Sequence, residues 1–328
     1  MSEPGNRPYW QFLGRPRYWV VWLFYWLGRL IVFLPLDAQL WLGRQLGRVA
    51  FRFMDKERDV ARRNYEICFP EKTGEERESL VREVFASLGM SFVEMGFGWW
   101  ASERRLRQVM EISGLEHLFA AAERGRGVLL QTGHFTTMEF AAMLIGLVGP
   151  PAQGFYRPNR KNPLADEIMA RGRLRFSKGM IPKDDVRRLA KVLKEGYVVW
   201  YTSDQRVRHG KREHLMPFFG VPARCNIGTP VIARMTKAPV VPFFPRRMRR
   251  DGRTVYRIEV LPELQNFPTD DPLADTQRIN ELLEAYIRKA PEQYLWTVAR
   301  FKKRDHLPNL YEGILSDDGD HYIGGKKR

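Results

Sequence analysis

Six histidines occur in the chain, and His134 is the one placed where chemistry is easiest to build. It follows the apolar run Val128–Thr132 (VLLQT) and a turn glycine, Gly133, and it precedes a helical stretch. A residue at the carboxyl end of a buried strand in an open α/β sheet faces the crevice where ligands bind. Glu139 lies five residues on. On one continuous helix the two would sit about 140° apart and never meet. With a helix starting at Thr136, Glu139 falls in the first turn and can reach back. A carboxylate accepting a hydrogen bond from one imidazole nitrogen fixes the tautomer and leaves the other nitrogen as a base. A plainer reading stands beside this one: Thr136 and Glu139 fit the T-x-x-E capping box, and His134 is then a satisfied turn histidine.

The elements that must position these residues can be read from about Val109 onward, where strand-like runs alternate with helical ones in the manner of an α/β domain. Strands are expected at 128–132, 152–156, 197–202, 240–245 and 254–261. Helices are expected at 75–97, 115–123, 136–147, 164–175, 184–195, 227–236 and 273–289. A second capping box, Thr73 to Glu76, opens the first of these helices. The fold class is α/β, a mixed and mainly parallel sheet flanked by helices. No Gly-rich phosphate loop is present, which disfavours nucleotide chemistry. The two cysteines, Cys68 and Cys225, supply neither a disulfide framework nor a Cys-rich metal site, and neither has a recognisable His or Asp partner.

The N-terminus has a different character. Residues 18–36 read YWVVWLFYWLGRLIVFLPL, the one long apolar stretch. At about 1.5 Å per residue it could just cross a hydrocarbon core of roughly 30 Å, and it is expected to form a membrane-anchoring helix behind a basic arm. No small-residue cleavage site follows, so a signal peptide is disfavoured. Five of the nine tryptophans, Trp10, Trp19, Trp22, Trp26 and Trp41, fall within the first 41 residues, and such rings prefer the membrane–water interface. Residues 37–53 then place Arg44, Arg48 and Arg52 at i, i+4, i+8 and Leu42, Leu46, Val49 and Phe53 on another stripe. That is a basic amphipathic helix. The chain carries 54 Lys+Arg against 38 Asp+Glu, a formal charge of +16, which calls for an anionic partner: nucleic acid, an acidic protein or an anionic membrane. The basic tract Arg246–Arg250 lies between two expected strands and reads as a solvated hairpin end. With the positive charge scattered and no binding module recognisable, nucleic acid is disfavoured.

Several boxes in fixed order give the chain a resemblance. Arg63-Asn64 followed by Cys68-Phe69-Pro70-Glu71 resembles R-N-x-x-x-C-F-P-E, and His134 with Glu139 resembles an H-x4-[DE] box. Tyr156-Arg157-Pro158 with Asn162-Pro163, Asp204-Gln205 before Pro217-Phe218-Phe219-Gly220, and Arg300-Phe301-Lys302 complete the series. Together they resemble the bacterial lipid A late acyltransferases over about residues 18 to 305. Two positions depart from that pattern: Arg206 stands where many relatives carry a second acid, and Asp305 where a proline is common.

The resemblance implies a glycerolipid-acyltransferase-like fold in which residues 37–311 form the acyltransferase domain, 1–36 the arm and anchor, and 312–328 a flexible tail. It implies transfer of a fatty acyl chain from acyl carrier protein to a hydroxyl of a lipid A precursor, without a cofactor or a metal. His134 would be the general base oriented by Glu139. The alkoxide would attack the thioester directly without an acyl-enzyme, and backbone N–H groups near Thr136 could face the oxyanion. Arg157 is a candidate for a phosphate or the oxyanion, and Asp204 for ordering that arginine or the acceptor. Arg63, Arg300 and Lys302 are candidates for acceptor phosphates. For each of these five, a structural ion pair, a turn or cap, or solvated surface charge is the competing reading. The implied partners are acyl carrier protein, the phosphorylated glycolipid and an anionic membrane. The implied place is the cytoplasmic face of a Gram-negative inner membrane. The same boxes would also suit another lipid acceptor, such as a lysophospholipid, an ornithine lipid or a different glycolipid.

Overall fold

The computed structural model describes residues 5–205, 213–302, 307–316 and 321–323. Arg206, Asp305, and the SDDGD and GGKKR portions of the tail, apart from Ser316, lie outside the described residues. The chain opens with α1 (Trp10–Leu13), α2 (Trp19–Ile31), α3 (Leu36–Phe53), α4 (Asp55–Cys68), α5 (Gly74–Trp100) and α6 (Glu103–Val109). There follow β1 (Met110–Ser113), α7 (Leu115–Glu123), β2 (Val128–Thr132), α8 (Met138–Val148), β3 (Ala152–Tyr156), α9 (Pro163–Leu174), β4 (Met180–Pro182), α10 (Val186–Lys194) and β5 (Val198–Thr202). The remainder is the hairpin β6 (Glu213–Phe218) and β7 (Val221–Asn226), then α11 (Gly228–Thr236), β8 (Val240–Arg250), β9 (Arg253–Val260) and α12 (Pro272–Lys289).

Seven strands form one sheet in the order β1-β9-β8-β2-β5-β3-β4. The central run β8-β2-β5-β3-β4 is parallel, and β9 turns antiparallel to β8. The α/β, mainly parallel expectation therefore holds. Both faces of the sheet are covered, which is why β2 is buried at every position. Leu130, Val198 and Val241 pack with Phe97 of α5 and with α8 on one face. Leu129, Val199 and Val240 pack with α10 and α11 on the other.

The N-terminal expectation needs correcting. The apolar stretch does not form one long helix. It breaks into α2, thirteen residues or about 20 Å, and a turn that leads at Pro35 into α3. No helix among the described residues is long and apolar enough to cross a membrane. Phe12, Tyr18 and Trp22 instead pack with Leu164 and Ile168 of α9. Residues 312–316 and 321–323, expected to fray, lie against the body in part: Leu315 is buried and the Tyr322 hydroxyl donates to Asp59 Oδ2 at 2.8 Å. The basic tract is also split. Arg249 and Arg250 are exposed near the hairpin end, whereas the Arg247 side chain is only 9% exposed and pairs with Glu94 at 2.5 Å.

The helix α3 docks on α5 through glycine rather than through its apolar stripe. A Cβ on Gly47 would lie 2.0 Å from the Phe85 carbonyl oxygen, and one on Gly89 would lie 2.1 Å from that of Gly43. The two backbones are thus in contact, and the large side chains of α3 are left to point away. Gly47→Val should push the helices apart and cost about 1–3 kcal/mol or more, read as a lowered Tm in a thermal melt.

Candidate active site

The parallel register of β2 and β5 builds the centre of the site. Thr132 pairs with Thr202 at the carboxyl ends of these strands, so the residues two positions further along each chain, His134 and Asp204, emerge side by side. Asp204 Oδ2 accepts from the His134 backbone N–H at 2.8 Å, and Oδ1 lies 2.6 Å from His134 Nδ1. The Tyr294 hydroxyl donates to Oδ2 at 2.8 Å. Gly133 permits this approach, because a Cβ there would sit 2.4 Å from Leu283 Cδ1 and 3.4 Å from Asp204 Oδ2.

The His134 loop is held from its other side by the segment after α12. Leu295 N–H donates to the His134 carbonyl at 3.0 Å, and Thr136 N–H donates to the Gln293 carbonyl at 2.8 Å. That segment is anchored by Asn64, whose amide donates to the carbonyls of Trp296 and Val298 at 2.6 and 2.9 Å. Its amide oxygen accepts from the Tyr311 hydroxyl at 2.5 Å. The Arg63-Asn64 box is therefore a clamp on the strip of chain that lines the site.

Three expectations are corrected here. Asp204, not Glu139, engages the His134 ring. Both Glu139 oxygens are taken by Arg173, Oε2 at 3.0 Å, so the pair ties α8 to α9. The Thr136–Glu139 capping box does not form: α8 begins at Met138 with no side-chain cap, and Thr136 Oγ1 instead lies 2.7 Å from Ser87 Oγ. The Thr73–Glu76 box does form, in both directions. The Thr136 N–H, offered above as an oxyanion donor, is spent on Gln293.

His134, about one quarter exposed, presents its free Nε2 side to a cleft of about 620 Å³. Among the described residues the cleft is lined by five cations, Lys56, Arg157, Lys183, Arg300 and Lys302, together with Phe155, Tyr156, Tyr201 and Trp296, and by no carboxylate. Arg157 extends from the end of β3. Arg300 is mostly buried, donating to the Arg224 carbonyl at 2.5 Å and to Cys225 Sγ at 3.1 Å. Arg63 is not at the cleft. It donates to the Leu310 carbonyl at 2.5 Å and pairs with Glu66 at 2.8 Å. Lys56 and Lys183 carried no motif that could have marked them; the fold brings them in. No cluster of three or more potential metal-ligating side chains exists among the described residues.

The electrostatics follow from the geometry. Burial raises the Asp204 carboxyl pKa, but the His134 charge, the two His134 hydrogen bonds and the Tyr294 hydroxyl outweigh burial and hold it below the usual carboxylate value. An ionised Asp204 accepts from Nδ1–H and so fixes the tautomer with its lone pair on Nε2, toward the cleft. Burial and the neighbouring Arg157 lower the Lys183 pKa. Burial pushes the Cys68 thiol well up, which opposes thiolate formation.

An imidazole at the carboxyl end of the central strand, ordered by a buried carboxylate and facing a cationic, aromatic-lined cleft, has the parts that group transfer involving an anionic compound needs. The class is an acyltransferase. The profile of the family described as bacterial lipid A biosynthesis acyltransferase matches residues 10–303, and the chain belongs to that family. It is similar to the lipid A biosynthesis lauroyltransferase of Escherichia coli (strain K12), 40% identical over 91% of this chain and 97% of that one. It is 36% identical to the lipid A biosynthesis palmitoleoyltransferase of the same organism, over 88% and 93%. A lipid A biosynthesis acyltransferase of Haemophilus influenzae is 33% identical over 90% and 95%.

Asp204→Asn should cost about 1–3 kcal/mol at neutral pH by weakening a buried, charge-assisted set of bonds. Because the folded pKa is depressed, the contribution is complete above the unfolded value of about 3.9 and is lost as pH falls through the lower folded value. Denaturant titrations at pH 7 and pH 3 should show the gap between native protein and variant shrinking on acidification.

Proposed function

We propose that the enzyme transfers a fatty acyl chain from acyl carrier protein to a hydroxyl of a phosphorylated lipid A precursor, with His134 as the general base. The observation that carries this reading is the His134–Asp204 pair facing a cleft lined, among the described residues, by five cations and no carboxylate. Family membership supplies the acyl chemistry and the lipid A acceptor. An aliphatic hydroxyl is a poor nucleophile until its proton is removed in the transition state. Nε2 of His134 takes that proton, and Asp204 stabilises the imidazolium that results. The alkoxide attacks the thioester carbonyl, the tetrahedral intermediate collapses, and the thiol of the carrier departs with the proton. No cysteine is acylated along this path. Developing oxyanion charge and the phosphates of the acceptor share the field of Arg157, Lys183, Lys56 and Lys302. Arg300, held by Arg224 and Cys225, shapes the wall. Glu139 contributes through Arg173, keeping the start of α8 in place behind the His134 loop.

The enzyme works at a membrane surface, on the cytoplasmic face of a Gram-negative inner membrane. In α2, Trp19, Val20, Leu23, Phe24, Leu27 and Leu30 are exposed, and Phe33 after it is 82% exposed. In α3, Leu42, Leu46, Val49 and Phe53 are exposed as well, because that helix spends its glycine face on α5. Large apolar side chains left in water on two neighbouring helices suit insertion into the headgroup–acyl boundary without spanning. Arg44, Arg48 and Arg52 on α3 would each contribute about 1 kcal/mol near an anionic leaflet.

His134→Ala should lower turnover by about 10²–10⁴-fold with Tm retained, read by mass spectrometry of a tetra-acylated lipid A precursor after incubation with acyl carrier protein thioester. Glu139→Gln should act mainly on stability. Turnover in the His134→Ala variant close to native would sink the assignment. Leu23→Glu combined with Phe24→Glu and Leu30→Glu should release the enzyme from anionic vesicles in a flotation assay, while the fold persists.

A further inference from the structure

The helix α10 has a purely apolar inner side, Leu189, Val192 and Leu193, buried against the sheet. On its outer side Val186, Ala190 and Met235 of α11 form the floor of a shallow groove of about 510 Å³, bordered by Arg187, Lys191 and Lys194. All three cations are exposed. Among the described residues, Lys191 alone of the three has an acidic partner, Glu195 at a loose 3.8 Å, and the mechanism uses none of them.

We propose that this groove docks the acidic carrier protein that delivers the acyl thioester, an inference that rests on the carrier-borne donor of the functional reading. Three observations choose this occupant. An apolar floor bordered by three exposed cations against the single carboxylate of Glu195 complements an acidic amphipathic helix, in which carboxylates flank a few apolar side chains. A second copy of this chain, itself at +16, is repelled. A membrane is the wrong occupant because α10 and α11 cover one face of the sheet, whereas α2 and α3 lie against α5, which covers the other. The groove therefore opens away from the exposed aromatic helices.

Its position suits delivery. β4 ends at Pro182, and Lys183, the next residue, lines the His134 cleft. Asp185 then caps α10, with its side chain accepting from the Arg188 N–H at 2.9 Å. The N-terminal end of the groove thus lies at the rim of the cleft, and a flexible thioester arm leaving the docked carrier there passes Lys183 toward His134. Arg187, Lys191 and Lys194 guide the protein, not the reacting atoms.

The test compares three full-length proteins with acyl carrier protein thioester as donor: the native enzyme, the charge-reversed triple R187E/K191E/K194E and the charge-conserving triple R187K/K191R/K194R. For the charge-reversed triple the KM for the carrier thioester should rise about tenfold or more, with kcat at saturating carrier and flotation with anionic vesicles unchanged. The charge-conserving triple should match the native enzyme. An unchanged KM, equal impairment of both triples, or loss of vesicle binding by the charge-reversed protein would each overturn the assignment. Failure of the donor reading itself is seen separately, as absence of transfer from the carrier thioester by the native enzyme.

Discussion

The carboxylate of Asp204 is the group on which the rest of the site depends. It is buried, yet it receives the backbone N–H and ring nitrogen of His134 and the hydroxyl of Tyr294. A buried carboxylate is tolerated only when its lone pairs are occupied by hydrogen-bond donors or a paired charge, so burial and the hydrogen bonds are not separable features. The carboxylate that selects the imidazole tautomer through Oδ1 also fixes, through Oδ2, the backbone of the loop carrying the ring. Tyr294 extends this control to the segment after α12, which the Asn64 amide clamps from α4. A residue far away in sequence therefore sets the position of the His134 ring.

The two halves of the surface divide the work. On one face of the sheet, glycines let α3 lie directly on α5, and the large apolar residues of α2 and α3 are turned outward. On the other, α10 buries Leu189, Val192 and Leu193 in the core and presents cations around Val186 and Ala190. The carboxyl edge of the sheet, where β2 and β5 release His134 and Asp204, lies between these faces. The exposed apolar helices and the exposed cations of α10 therefore lie on opposite faces of the sheet, with the His134 cleft between them.

The net charge of +16 is thereby resolved into separate places: the cleft cations, the arginines of α3 beside the exposed apolar stripe, and the rim of the α10 groove. Arg247 shows why counting charge along the sequence misleads. Four of its neighbours from Arg246 to Arg250 are also basic or apolar, but Arg247 alone is drawn inside by Glu94, with the Tyr256 hydroxyl bonded to the same carboxylate at 2.7 Å.

The sequence by itself determined the α/β class, the strands at 128–132 and 152–156, the Thr73 cap, the place of His134 at the carboxyl end of a strand, and the family. Each of these rests on local pattern: period, capping residues, turn glycines and boxes in fixed order. The sequence did not determine which carboxylate serves His134. Glu139 was the nearest in chain and Asp204 the nearest in space, because a parallel sheet joins residues seventy positions apart through register, which local spacing does not encode. The matched endings Thr132-Gly133-His134 and Thr202-Ser203-Asp204 were the one available signal, and they become readable only once β2 and β5 are known to be neighbours. Tertiary structure likewise decided that the apolar N-terminus breaks at a turn and packs on α9, since a helix is ended by its turn residues and its contacts, not by hydropathy. It alone placed Lys56 and Lys183 at the cleft and Arg63 away from it. A charge has no periodicity to betray its partner, and only packing says what it faces.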